Sequence, residues 1–141
     1  MNLVVDASVA AKWLFVEPDT GKARAILESA ERGELQLLAP EILSAEIANS
    51  LWKRTERGDL DTASALGLFD GFQKVEFKFS KVQELIGPAL SIAFRHHHPV
   101  YDCLYVVLAR REGCDLVTAD ERLYRAFAHD FPQVHLLRNM A

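Results

Sequence analysis

The sequence predicts an α/β protein with a parallel sheet covered by helices on both faces. Three observations carry this. Short apolar segments rich in β-branched residues alternate along the chain with longer segments of helical periodicity. Gly, Pro and capping residues punctuate the junctions between them. No linker, repeat or low-complexity tract interrupts the alternation, so residues 1–141 are expected to form a single domain, a length sufficient for a real hydrophobic core.

The elements follow in order. Residues 2–5 are short, apolar and β-branched, a buried strand. Ser8 is placed to cap a short helix reaching Trp13 or Leu14, which Glu17-Pro18-Asp19 breaks. Thr20 is expected to cap a helix over 21–32, stopped by Gly33. Residues 35–39 read as a second strand. Pro40 suits the first turn of a helix running to Arg57, with Gly58 as its stop. A further helix covers 61–72, and the alternation over 75–79 predicts a third strand. Ser80-Lys81-Val82-Gln83 has the form of a capping box, and the helix it opens extends to about His97, bent or delayed at Gly87-Pro88. Pro99 restarts a helix through Glu112, stopped by Gly113. Residues 115–118 form a strand, 120–128 a helix and 134–137 a last strand.

Half of the residues are hydrophobic and 26% are charged, ordinary values for a soluble globular chain. No apolar run approaches the roughly 20 residues that span a bilayer, and the first residues lack the basic and apolar regions of a secretory signal. The two cysteines, Cys103 and Cys114, are too few for a disulfide framework and lack Cys-x-x-Cys zinc spacing; they read as buried thiols of a reducing cytosol. A net charge of −4 argues against a strongly basic nucleic-acid binder, though not against a nuclease whose acids are neutralised by metal. The basic groups Lys53-Arg54 with Arg57, Arg110-Arg111, and Arg122 with Arg125 read as solvated helix faces.

Four acids stand out against this background. Asp6 ends the first strand and Asp120 follows the strand 115–118, both where parallel sheets place their sites. Glu46 falls between Ile42 and Leu43 on the helical wheel, within the apolar arc. Asp102 opens a helix that is apolar nearly all round. Each has a purely structural alternative: an Asx turn for Asp6, a snorkelling stem for Glu46, a favourable helix dipole for Asp102, a cap for Asp120. Taken together the alternatives require four separate coincidences. A divalent cation compensates such carboxylates in one step, and oxygen ligands suit Mg²⁺ or Mn²⁺. Ser8 and Thr118 add neutral oxygens beside Asp6 and Asp120. His96-His97-His98 precedes a proline and reads as a solvated turn, because consecutive residues of a regular helix cannot face one ion. No Gly-x-Ser-x-Gly elbow supports a Ser/His/Asp triad.

The segments Val4-Val5-Asp6-Ala7-Ser8-Val9, Pro40-Glu41-Ile42 through Glu46-Ile47-Ala48-Asn49, Val100-Tyr101-Asp102-Cys103-Leu104-Tyr105 and Leu116-Val117-Thr118-Ala119-Asp120 occur in family order. On them the chain resembles the PIN domain, in particular the small VapC-like toxins of toxin–antitoxin pairs. The resemblance implies a three-layer fold with a central parallel sheet of four to five strands. It implies a cytoplasmic ribonuclease that cleaves RNA phosphodiesters with Mg²⁺ or Mn²⁺ and leaves a 5′-phosphate and a 3′-hydroxyl. Asp6, Glu46, Asp102 and Asp120 are then the acidic site, Ser8 and Thr118 support it, and Asn49, a turn after Glu46, holds Glu46 by a hydrogen bond. A cognate antitoxin and a second copy of the chain are the implied partners, with no membrane. Trp13, Leu51 and Trp52 are candidates for those surfaces, although core is their commoner role. Lys12 is a candidate phosphate contact or a plain surface lysine.

Two rivals stand beside this. A phosphatase of the haloacid-dehalogenase type requires a second acid two residues after the first, where this chain has Ser8. The other rival is an interaction module of the same fold without turnover.

Overall fold

Leu3, Val4 and Val5 lose nearly all contact with water because they form the central strand of a sheet covered on both sides. The computed structural model describes all 141 residues. Its strands are β1 (Asn2–Val5), β2 (Gln36–Pro40), β3 (Phe77–Ser80), β4 (Asp115–Thr118) and β5 (Val134–Leu136). All pair in parallel, in the order β3-β2-β1-β4-β5. Parallel neighbours need long crossovers, which the helices supply. These are α1 (Ala7–Leu14), α2 (Thr20–Glu31), α3 (Ile42–Glu56), α4 (Thr62–Gln73), α5 (Val82–His96), α6 (Val100–Glu112) and α7 (Glu121–Phe127), with a 3₁₀ turn at Leu137–Asn139.

The chain winds from β1 to β2 and β3 in one direction, then returns to β4 and β5 in the other. Right-handed crossovers then put α1–α4 on one face and α5–α7 on the opposite one. The packing agrees: α1 lies on α2 and α3, α5 lies on α6, and His96 of α5 stacks on Phe127 of α7. One cluster of 33 buried hydrophobic residues runs through both layers, and α6 contributes several of its members, including Leu104, Tyr105 and Leu108. No helix is long and apolar enough to cross a membrane.

Several local expectations are corrected. Pro40 does not open a helix; it ends β2 and pairs with Ser80. The β1 register ends at Leu38, so at Pro40 the β1 side of the strand is already unpaired, and Glu41 N–H donates to the Ser80 carbonyl instead. Thr20 does not cap α2. Its Oγ1 accepts from Glu17 N–H and donates to the Phe15 carbonyl, closing the preceding loop. Ser80 forms no capping box, because its hydroxyl accepts from Arg111 while α5 starts without a side-chain cap. Gly87-Pro88 neither delays nor ends α5, which continues through both. Leu85, Ala89 and Ile92 are buried on its inner side, and that packing outweighs the missing proline N–H.

Candidate acidic active site

β1 and β4 end side by side at the point where the winding reverses, and both deliver side-chain oxygens there. Asp6 follows β1 directly. Its extended backbone makes it, rather than Ser8, the cap of α1: Oδ1 accepts from Val9 N–H at 3.2 Å. Ser8 donates to the same oxygen at 2.6 Å, and Thr118, the last residue of β4, donates to Oδ2 at 2.5 Å. Ser8 Oγ also accepts from Ala119 N–H at 2.8 Å, and Thr118 Oγ1 accepts from Asp120 N–H at 3.0 Å. These bonds fasten the carboxyl end of β1 to that of β4. Asp6 is 5% exposed, and burial pushes its carboxyl up to about 6 against the opposing pull of these donors; Asp102 adds a smaller upward push.

Glu46 comes from α3 and Asp102 from the first turn of α6. Burial raises the Glu46 carboxyl, and Asp102 raises it further. Asp6, Glu46 and Asp102 therefore share one field, with Asp102 as the common neighbour. Tyr105, one turn after Asp102, donates its phenol to Glu46 Oε1 at 2.6 Å; burial, then the Glu46 charge, drives this phenol far up, so it remains a donor. Asn49 is not the partner of Glu46. It is exposed on α3, and the Glu46 carboxylate is held by Tyr105 instead.

Asp120 caps α7, with Oδ1 accepting from Arg122 and Leu123 N–H. Its main chain reaches the other acids through Thr118, whose Oγ1 accepts from Asp120 N–H. Hydrogen bonds thus engage Oε1 of Glu46, Oδ2 of Asp102 and Oδ1 of Asp120, leaving the second oxygen of each without a protein donor. No three acidic, histidine or cysteine side chains converge closely enough to cage an ion. The donor chemistry, carboxylate and hydroxyl oxygens only, suits a hard divalent cation. A wide groove of about 1180 Å³ lies elsewhere, at the amino ends of the strands, lined by Asn2, Gln36 and Phe77 and by none of the four acids.

Two groups at this end of the sheet escape a reading of the sequence alone. Tyr105 follows Asp102 by three residues, a same-face spacing that could have flagged it. His98 belongs to the run read as a solvated turn, but only His97 meets water freely. The His98 side chain is 8% exposed and its Nε2 lies 2.7 Å from Asp102 Oδ2. His96 packs against Phe127 and Phe131. Lys12 is likewise no surface lysine: it is buried and paired with Glu17 at 3.3 Å, while Arg54 holds the other Glu17 oxygen at 2.6 Å and lies over the Phe15 ring. Trp13 and Leu51 are core, and Trp52 is exposed.

A family model described as PIN domain matches residues 3–128. The chain belongs to the PIN-domain family. This PIN domain is 36% identical over 131 residues to a protein named Ribonuclease VapC3 from Pyrobaculum aerophilum, covering 90% of this chain and 95% of that one. It is 33% identical over 121 residues to Ribonuclease VapC9 of Mycobacterium tuberculosis, covering 86% and 87%. Among solved structures it resembles PAE2754 from Pyrobaculum aerophilum, with a TM-score of 0.72 at 24% identity over 98% of this chain and 93% of that one. It also resembles VapBC2 from Rickettsia felis bound to a DNA fragment from their promoter, with a TM-score of 0.65 at 15% identity over 96% and 97%. These likenesses establish a PIN-type fold, with which the five-stranded parallel sheet agrees.

Proposed function

We propose that this PIN domain is an endoribonuclease dependent on Mg²⁺ or Mn²⁺, the toxin of a type II toxin–antitoxin pair. The names of its relatives support a ribonuclease of the VapC kind. The observation that carries the site is Asp6: a carboxylate buried where the sheet reverses its winding, pushed up to about 6, with two further acids in the same field. A cation relieves that arrangement, and the unbound second oxygens of Glu46, Asp102 and Asp120 are available to it.

Asp6 and Asp102 are assigned as ligands, with Glu46 and Asp120 as ligands, water holders or base. When bound, the metal lowers the pKa of water and stabilises charge on phosphoryl and leaving oxygens. The chain's own groups do the rest. Ser8 and Thr118 hold the Asp6 carboxylate against rotation. The Tyr105 phenol keeps Glu46 aimed inward and, remaining protonated, takes no part as a base. In-line attack by water leaves a 5′-phosphate and a 3′-hydroxyl.

The proposed partners are RNA, a small cognate antitoxin and a second copy of the chain. The VapBC2 likeness supports the antitoxin. Ile86, Leu90 and Phe94, exposed at successive turns of α5, support the homodimer. Two free thiols, Cys103 and Cys114, accord with a cytoplasmic setting.

The test is RNA cleavage by purified protein in Mg²⁺. Asp6→Asn and Asp102→Asn should each lose at least about 100-fold in rate, and EDTA should abolish cleavage reversibly. Undiminished cleavage by either variant sinks the carboxylate mechanism. Binding of a small partner with no RNA loss at any metal concentration establishes the non-catalytic module instead.

A further inference from the structure

We infer that His98 is a positioning residue for Asp102: its Nε2–H holds one carboxylate oxygen and leaves the other free to bind a divalent cation. The inference rests on the acidic-centre reading given under the proposed function. His98 lies four residues before Asp102, and its Nε2 is 2.7 Å from Oδ2. The ring has little freedom. It meets Phe127 edge-on, with centroids 5.2 Å apart and planes at 77°. Its main chain is fixed as well. His97 is left-handed at φ 51°, His98 N–H donates to the Ala93 carbonyl at 3.2 Å, and the Cys103 thiol donates to the Pro99 carbonyl at 3.3 Å.

Asp102 needs such a restraint. It sits in the first turn of α6, whose cap position is Pro99 and which has no side-chain cap. The first amides of that helix are therefore unclaimed by a side chain and compete for the carboxylate. A buried donor on the far side of Oδ2 prevents Asp102 from folding back onto its own helix and keeps Oδ1 free. Carboxylates that ligate metals are themselves held by outer hydrogen bonds, and loss of such a partner weakens binding by about 10–100-fold. For the neutral ring to donate from Nε2, the proton must reside there and not on Nδ1.

The experiment is an Mn²⁺ titration of the full chain without RNA, followed by electron paramagnetic resonance, on the parent, His98→Phe and His98→Gln. Phe keeps a ring against Phe127 but no donor; Gln retains an N–H at similar reach. His98→Phe should bind Mn²⁺ about 10–100-fold more weakly, and His98→Gln should recover to within about threefold of the parent. Parent-like affinity in a folded His98→Phe overturns the positioning role while the acidic-centre reading stands. A parent that binds no Mn²⁺ overturns both. A second measurement needs no variant: long-range ¹H–¹⁵N correlation spectra of the parent should show His98 protonated at Nε2. A ring protonated only at Nδ1 overturns the inference even if His98→Phe fails to fold.

Discussion

At Asp6 the forces on one residue are opposed, and the opposition can be measured. Ser8, Thr118 and Val9 N–H stabilise the carboxylate, yet burial outweighs them and pushes the group up to about 6 from 3.8. Below pH about 4 the side chain is protonated in both folded and unfolded protein and contributes nothing to their difference. Between about 4 and 6 the folded state holds more protons than the unfolded one, so stability falls as pH rises. Above about 6 the loss is complete, on the order of 3 kcal/mol. Metal-free Asp6→Asn should therefore show a flatter pH profile over this window than the parent, read by urea unfolding. A parent profile that rises from pH 4 to 6 after correction for the other acids would contradict the burial argument. Tyr105→Phe should cost about 1–2 kcal/mol by the same measurement, since it strips Glu46 of its donor.

Elements show which sequence signals compete. Asp120 was expected both as a helix cap and as part of the acidic set, and the structure displays the cap openly. The two roles separate experimentally. Asp120→Asn keeps an oxygen for the amides of Arg122 and Leu123 and should leave Tm nearly unchanged, whereas Asp120→Ala should lose about 1 kcal/mol. If the carboxylate serves chemistry as proposed, both variants lose RNA cleavage; full activity in Asp120→Asn would reduce the residue to a cap. In α5, Pro88 is exposed within an intact helix, so Pro88→Ala should raise stability by roughly 1–3 kcal/mol in thermal unfolding. Strand positions were legible because short apolar runs between breakers have few alternatives. Capping was less so. Asp6 and Ser8 are both competent caps two residues apart, and only the backbone angles reveal which one turns the corner.

For the molecule as a whole, the winding reversal between β1 and β4 positions the candidate site, and alternation of strands and helices made that sheet readable in advance. Strand order was not readable from the alternation, nor was the packing of individual side chains against remote elements. His98 looked like an exposed turn because its burial depends on Phe127, 29 residues later on another element. Glu17, bridging Lys12 to Arg54, was invisible for the same reason. A cation that binds only the assembled centre should stabilise the entire fold: at 100 times its Kd, Mg²⁺ is expected to add about 2.7 kcal/mol, seen as a higher Tm that Asp6→Asn does not share.

The bond from Thr118 to Asp6 spans 112 residues. During synthesis Asp6 leaves the ribosome long before Thr118 exists, and β1 waits for β4 before its carboxyl end can close. A growing polypeptide thus carries Asp6, Glu46 and Asp102 before the hydroxyl that fastens Asp6 in place has been made. On the proposed ribonuclease reading, the centre is complete only once β4 has joined β1.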